Sequence, residues 1–409
     1  MNNRIKQLIA IKSICVSVLV TVSACSSLRN TDINLEAETA YIQNRLERTL
    51  TDIPNDKKNI PRSLMEDGRS WKYVSYQDWT SGFWSGELWY AYELSGQAKW
   101  KEQAGRFTKE LKPLAYEPVI DHDLGFQVFN SFGNAFRLTG EESYRRVVLA
   151  AADSLATLFN PKVGTILSWP RSVPNMEWPQ HNTIIDNMIN LELLFWASKN
   201  GGADSLYTIA VCHAKTTMAN HFRDDFSSYH AVVYDKETGR RIKQVTHQGF
   251  ADHSMWARGQ SWAIYGYTMV YRETKDPVFL DFAQKVTDVY LDRLPKDLVP
   301  YWDFDDPKIP NAPRDASAAA VVACALFELG QYVPGDKGAM YRKKAEEMLN
   351  SLARHYHAAD GNSAILGQVT GHYPNGNEIN TSINYGDYYY MEALLRYSRL
   401  KSIQLQKNK

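Results

Sequence analysis

Carboxylates recur where helices are about to begin: Asp78-Trp79, Asp121-His122-Asp123, Asp186 after His181-Asn182, Asp252 ahead of Arg258, Arg314-Asp315, and Asp387. Trp169, Trp178 and Trp302 fall in the loops between them. Paired carboxyl groups and flat rings suit sugar cleavage: one carboxyl donates a proton, another stabilises or directs, and aromatic faces hold the pyranose. Asp123 and Asp186 are the candidates for the two carboxyl groups. A structural reading stands beside this one, because aspartate is a favoured N-cap and Asp123, Asp315 and Asp387 are placed to hold backbone N–H groups. Asp186 differs, since Ile184, Ile185, Met188 and Ile189 surround it and aspartate is rarely buried without a partner or a task. An apolar setting disfavours the anion, so its pKa is expected to be raised, as an acid working near neutral pH requires. Asp121, His122, Asp123 and His181 are also metal-ligand types. No His-Glu-x-x-His or paired-cysteine spacing accompanies them, and neither a metal nor another cofactor is expected.

For these residues to meet, the helices that carry them must start at one end of the fold. After a polar lead-in to about Pro61, the chain repeats a two-helix unit. The first helices, Phe83 to Tyr92, Phe126 to Phe136, Ile184 to Ala197, Trp262 to Tyr271 and Ala318 to Leu329, mostly stop at or near glycine: Gly96, Gly140, Gly201 and Gly330. Amphipathic second helices follow: Trp100 to Leu111, Glu142 to Phe159, Ser205 to Phe222, Pro277 to Leu294 and Gly338 to Tyr356; a final unit opens at Asn384. About six pairs, with the first helices more apolar than the second, predict an inner ring wrapped by an outer one. The expected fold is an all-α, (α/α)6 barrel over residues 35–403; an open helical solenoid is the alternative. In a closed ring every inner helix starts at the same end, which brings the carboxylates to one mouth. Tyr229 to Tyr234 and Arg241 to Thr246, around a turn containing Gly239, read as a β-hairpin near that mouth, with His230 beside His247-Gln248.

The remaining features bound the setting. Arg4, Lys6 and Lys12 precede an apolar run from Ile14 to Val22 and a Val22-Ser23-Ala24-Cys25 box, which reads as a signal peptide over residues 1–24 of the lipoprotein type, with Cys25 lipidated. An ordinary cleaved signal is the alternative. Ser26 follows Cys25 where a retention signal puts an acid, so an envelope lipoprotein facing the periplasm is expected. Cys212 and Cys324 lie in apolar helical stretches and read as buried thiols. Losing the leader's three bases leaves 43 basic against 46 acidic residues, net −3, so neither nucleic acid nor an anionic membrane surface is an expected partner. Nothing indicates an oligomeric state.

Longer motifs tie these residues together. Asp78-Trp79-Thr80-Ser81-Gly82-Phe83-Trp84, His122-Asp123-Leu124-Gly125-Phe126, Ile185-Asp186-Asn187-Met188, Thr246-His247-Gln248-Gly249 and Arg258-Gly259-Gln260-Ser261-Trp262 resemble the motifs of glycoside hydrolase family 88, the unsaturated glucuronyl hydrolases. Tyr301-Trp302-Asp303-Phe304 and Gly386-Asp387-Tyr388-Tyr389-Tyr390 also fit. The resemblance implies an (α/α)6 barrel acting on small oligosaccharides left by a polysaccharide lyase. It implies hydration of the C4=C5 bond of a 4,5-unsaturated uronate at the non-reducing end, not attack at the anomeric carbon. By the same matching, Asp186 is the general acid and base and Asp123 the second essential aspartate. Trp79, His230, Gln248, Arg258 and Trp262 fall on substrate-contacting positions, with His122 beside the catalytic aspartate. Arg258 would offer paired donors to an anionic sugar, and Trp79 and Trp262 would stack on its ring. The loop from Gly367 to Ile383, which in the family reads the next sugar, holds His372, Asn375, Asn377 and Asn380 but no Lys or Arg. Unsaturated rhamnogalacturonyl hydrolases, a lipid-anchored sugar-binding protein and a conventional inverting glycosidase are the competing readings.

Overall fold

The computed structural model describes residues 33–407. Residues 32–409 form one compact unit; the signal segment and Cys25 lie outside the described residues. Twelve α-helices are described: α1 (Leu35–Asp52), α2 (Ser81–Ser95), α3 (Ala98–Glu110), α4 (Asn134–Thr139), α5 (Glu142–Ala156), α6 (Asn187–Lys199), α7 (Asp204–Asn220), α8 (Ala257–Thr274), α9 (Pro277–Asp292), α10 (Ala316–Tyr332), α11 (Gly335–His355) and α12 (Asn384–Lys407). A π-helix, Gly125–Gly133, runs directly into α4. In ring order α2, the π-helix, α6, α8, α10 and α12 each touch the next, and α12 touches α2 again. This closes an (α/α)6 barrel and excludes the open solenoid.

Burial explains which helix lies where. Every residue of α10 from Ala316 to Gly330 is buried, as expected of a helix that is apolar all round. Its partner α11 buries a stripe, Tyr341, Ala345, Met348, Leu349 and Leu352, at the spacing of one helical face. The sixth outer helix is α1, which the sequence presents only as a polar lead-in. Its buried stripe is Ile42, Arg45, Leu46 and Thr49, so half of the face that packs is not apolar. The Arg45 guanidinium is satisfied by the carbonyls of Ala358, Ala359 and Asn362, and the Asn34 side chain caps the helix through the Ala37 N–H.

The β elements are short: β1 (Ile60–Leu64) with β2 (Trp71–Val74), β3 (Phe159–Asn160) with β4 (Thr165–Ile166), and a sheet ordered β5 (His181–Ile184), β6 (Ala231–Tyr234), β7 (Arg241–Val245). The expected hairpin is β6–β7. The third strand, β5, occupies residues the sequence pattern assigned in part to a helix. Its register sets the site: Ile184 faces Ala231, and the Ile185 N–H donates to the His230 carbonyl at 2.9 Å. The segments leading to Asp186 and following His230 therefore lie side by side.

Two glycines let the inner ring close near the site. A Cβ on Gly82 would lie 2.1 Å from the Phe126 carbonyl oxygen, and one on Gly125 2.5 Å from Asn190 Oδ1. Any side chain at either position would push apart the helices that carry Trp79, Asp123 and Asp186.

Candidate active site

A cleft of about 580 Å³ opens where the inner helices begin. Its walls include Trp79, His122, Asp123, Trp169, Asp186, Gln248 and Arg258. Asp123 stands just ahead of the π-helix, a local irregularity often found at functional sites. Its segment is held because the His122 N–H donates to the Ser168 carbonyl and the Phe126 N–H to Asn190 Oδ1. Asp186 opens α6 but makes no capping bond with its side chain, and Asp123 likewise holds no backbone N–H through its carboxylate, so neither serves as an N-cap. Both are buried, 6% and 8% exposed.

Each aspartate faces the Nε2 of a fixed imidazole. His230 Nδ1 accepts the Gln248 backbone N–H at 3.1 Å, which leaves the ring proton on Nε2, 3.4 Å from Asp186 Oδ2. Asn190 spends its oxygen on Phe126, so its Nδ2 faces His122 Nδ1 at 3.4 Å. His122 Nε2 then points at Asp123 Oδ1 from 3.5 Å and at Asp121 Oδ1 from 3.6 Å. At these distances the contacts are looser than closed hydrogen bonds. Asp186 Oδ2, His230 Nε2 and His122 Nε2 close no hydrogen bond within the protein.

The two carboxyl groups differ in proton affinity. Burial, then the neighbouring Asp121 and the charge of Asp186, hold Asp123 well above the usual carboxylate range. Burial also pushes Asp186 upward, but His230, His122 and Arg258 outweigh it and leave its pKa below the ordinary value. This reverses the expectation from sequence, which weighed the isoleucines around Asp186 and not the two histidines and the arginine that folding brings to it. Asp123 therefore holds a proton more readily than Asp186 does. Burial also lowers His122 and holds His247 and His372 at about 4, so the last two rings are neutral at pH 7.

A metal is weighed on the same geometry. Ligand atoms of Asp121, His122 and Asp123 all lie within 4.8 Å of one another. The Arg171 guanidinium occupies Asp121 Oδ2 at 2.7 Å, which leaves Oδ1 as the ligand atom that residue would offer.

The model of Glycosyl Hydrolase Family 88 matches residues 47–400. The chain belongs to glycoside hydrolase family 88. It is 41% identical over 90% of its length, and 91% of the relative's, to an unsaturated glucuronyl hydrolase of Formosa agariphila. It is 38% identical over 78% of its length, and 82% of the relative's, to an unsaturated chondroitin disaccharide hydrolase of Streptococcus pneumoniae. A crystal structure of an unsaturated glucuronyl hydrolase specific for heparin superposes with a TM-score of 0.84 at 41% identity, covering 90% of this chain and 98% of that one.

Not every candidate of the family 88 chain reaches the cleft. Trp79 does, partly exposed, with its ring stacked on Tyr385 at 5.4 Å. Trp262 does not: it is fully buried against Phe126 and Tyr389, so it supports the wall from behind and offers no face to a sugar. His230 is buried behind Asp186. Arg258 borders the cleft, but both of its terminal nitrogens are engaged. Nη1 pairs with Asp315 at 2.6 Å and with the Thr370 carbonyl; Nη2 binds the Gly371 carbonyl at 2.6 Å and Gln248 Oε1 at 3.4 Å. It clamps the 370–371 backbone and has no free fork for an anion. Trp302 is buried and stacks on Tyr373, and Trp178 is exposed away from the cleft wall. Sequence reasoning missed Arg62, Arg171 and Glu378, which line the cleft. They sit in loops and a strand with no local motif, and only the closed ring brings them to the mouth.

Proposed function

We propose that this family 88 chain releases the 4,5-unsaturated uronic acid from the non-reducing end of lyase-generated, glycosaminoglycan-type oligosaccharides by hydrating the C4=C5 bond. One observation carries the reading: two buried carboxyl groups in one cleft have proton affinities pushed apart, that of Asp123 upward and that of Asp186 downward. Addition of water needs a proton at C4 and a hydroxyl at C5. Proton transfer to C4 leaves an oxocarbenium-like C5, water adds there and gives up its proton, and the resulting hemiketal opens and releases the neighbouring sugar. Asp186 is assigned both proton transfers and Asp123 the supporting role. Asp186 is ionised at rest, so it must take up a proton when substrate arrives. The uronate carboxylate, a further negative charge, drives this by raising its proton affinity, and Asp123, held above the usual carboxylate range, lies in the same cleft. Trp79, Gln248 and the wall built on His230 and Arg258 shape the sugar site.

The test follows the ultraviolet absorbance of the conjugated double bond. Unsaturated disaccharides from glycosaminoglycan lyases lose that absorbance with the purified protein. Bleaching confined to pectin-derived products would replace the reading with the rhamnogalacturonyl one, and binding without bleaching would leave a sugar-binding protein.

The chain is further proposed to be a lipoprotein anchored through Cys25 and facing the periplasm, supported by the Val22-Ser23-Ala24-Cys25 box and Ser26. None of the described helices is long and apolar enough to cross a membrane. Cys25→Ala moves the protein from the membrane to the soluble fraction; continued membrane association overturns the anchor.

A further inference from the structure

An anionic sugar must enter a cleft already lined by Asp121, Asp123, Asp186 and Glu378, and three arginines are there to meet it: Arg62, Arg171 and Arg258. Two are saturated. Arg62 places Nη1 on both Asp78 oxygens at 2.8 Å, and Nε and Nη2 on Glu378 at 2.7 and 3.1 Å. Arg258 is spent on Asp315, two backbone carbonyls and Gln248, and two of the three cleft-lining histidines, His247 and His372, are neutral at pH 7. Arg171 differs from both. Its Nη1 donates to Asp121 Oδ2 at 2.7 Å and to the Ile120 carbonyl at 3.3 Å. Its Nε and Nη2 have no partner among the described residues, and the side chain is 55% exposed.

We propose that Arg171 receives an anionic group of the substrate, a carboxylate or a sulfate, on the guanidinium edge formed by Nε and Nη2, while Nη1 stays on Asp121. The inference rests on the hydrolase reading above and names the binding group that reading leaves open. Two parallel N–H donors match two oxygens of either anion. The Asp121 contact fixes the plane of the fork beforehand, so less freedom is lost on binding. Negative charge arriving there also weakens the hold of Arg171 on the Asp121–Asp123 pair, which favours the protonated Asp123.

Binding is measured by calorimetry on Asp186→Asn protein, which retains intact substrate, with and without Arg171→Gln. The ligands are an unsulfated unsaturated disaccharide and its sulfated counterpart. The expected result is a Kd raised roughly tenfold to hundredfold by Arg171→Gln, as for loss of a hydrogen bond to a charged group. The Kd of the parent weakens with added salt, and that of the Arg171→Gln protein does so less. A loss equal on both ligands identifies the uronate carboxylate, and a loss on the sulfated ligand alone identifies the sulfate. Arg171→Lys, which keeps the charge without the fork, recovers part of the loss. An unchanged Kd on both ligands overturns the proposal. Wild-type bleaching of the double bond, measured separately, tests the hydrolase reading, so the two failures are distinguishable.

Discussion

Asp186→Asn loses turnover of unsaturated disaccharide by at least the roughly 10²–10⁴-fold that a positioned acid or base contributes, while the melting temperature stays within a few degrees of wild type. The two parts of the result have separate grounds. Asn has the shape of Asp and can still face His230, and the Asp186 side chain holds no backbone N–H of α6, so the fold gives up little. The amide, however, can neither deliver a proton to C4 nor take one from water. Asp123→Asn nearly abolishes turnover as well, for a different reason. Asn imitates a protonated carboxyl group, the form that burial and Asp121 favour at Asp123, so resting hydrogen bonds survive, but the negative charge cannot form when the reaction requires it. Steady-state absorbance assays and thermal melts on both proteins check this. Activity retained in Asp186→Asn contradicts the assignment of roles.

The second large effect is on stability. Arg258→Met leaves the fully buried Asp315 without its cation and frees the Thr370 and Gly371 carbonyls, at a cost of about 3–5 kcal/mol. Thermal or denaturant unfolding should show the full loss. Adding Asp315→Asn to Arg258→Met restores much of the stability, because the unpaired charge is gone. It does not restore activity, because the segment carrying Gly371 and His372 into the cleft has lost its clamp. If Arg258 acts by touching substrate alone, Arg258→Met weakens binding and leaves stability unchanged.

What the sequence could reveal follows from the range of the interactions. Periodicity and glycine stops are local, so α3, α5, α7, α8, α9, α10 and α11 are legible within a few residues of their ends. The helix α1 was hidden because its buried stripe contains Arg45 and Thr49, satisfied by partners some 314 residues away in sequence. The strand β5 was hidden because His181 to Ile184 runs straight into a helix and acquires its partner, β6, from nearly fifty residues further on. Asp123 and Asp186 were marked by local context and by motif, and the fold puts both in one cleft. Their proton affinities were not legible: those depend on Asp121, His122, His230 and Arg258 approaching in space. Trp262 shows the converse. A tryptophan one turn beyond Arg258 on an inner helix reads as a sugar platform, yet the helix turns it inward onto Phe126 and Tyr389.

The central claim is that the double bond, not the glycosidic carbon, is where the chemistry occurs. The most direct measurement gives the protein two disaccharides that differ only at C4–C5 of the terminal uronate, one unsaturated and one saturated, and follows both absorbance and the release of the second sugar. Hydration predicts that the unsaturated compound bleaches and releases its neighbour in step, and that the saturated twin binds but stays intact. Cleavage of the saturated twin, or release from the unsaturated one with its absorbance unchanged, contradicts the account.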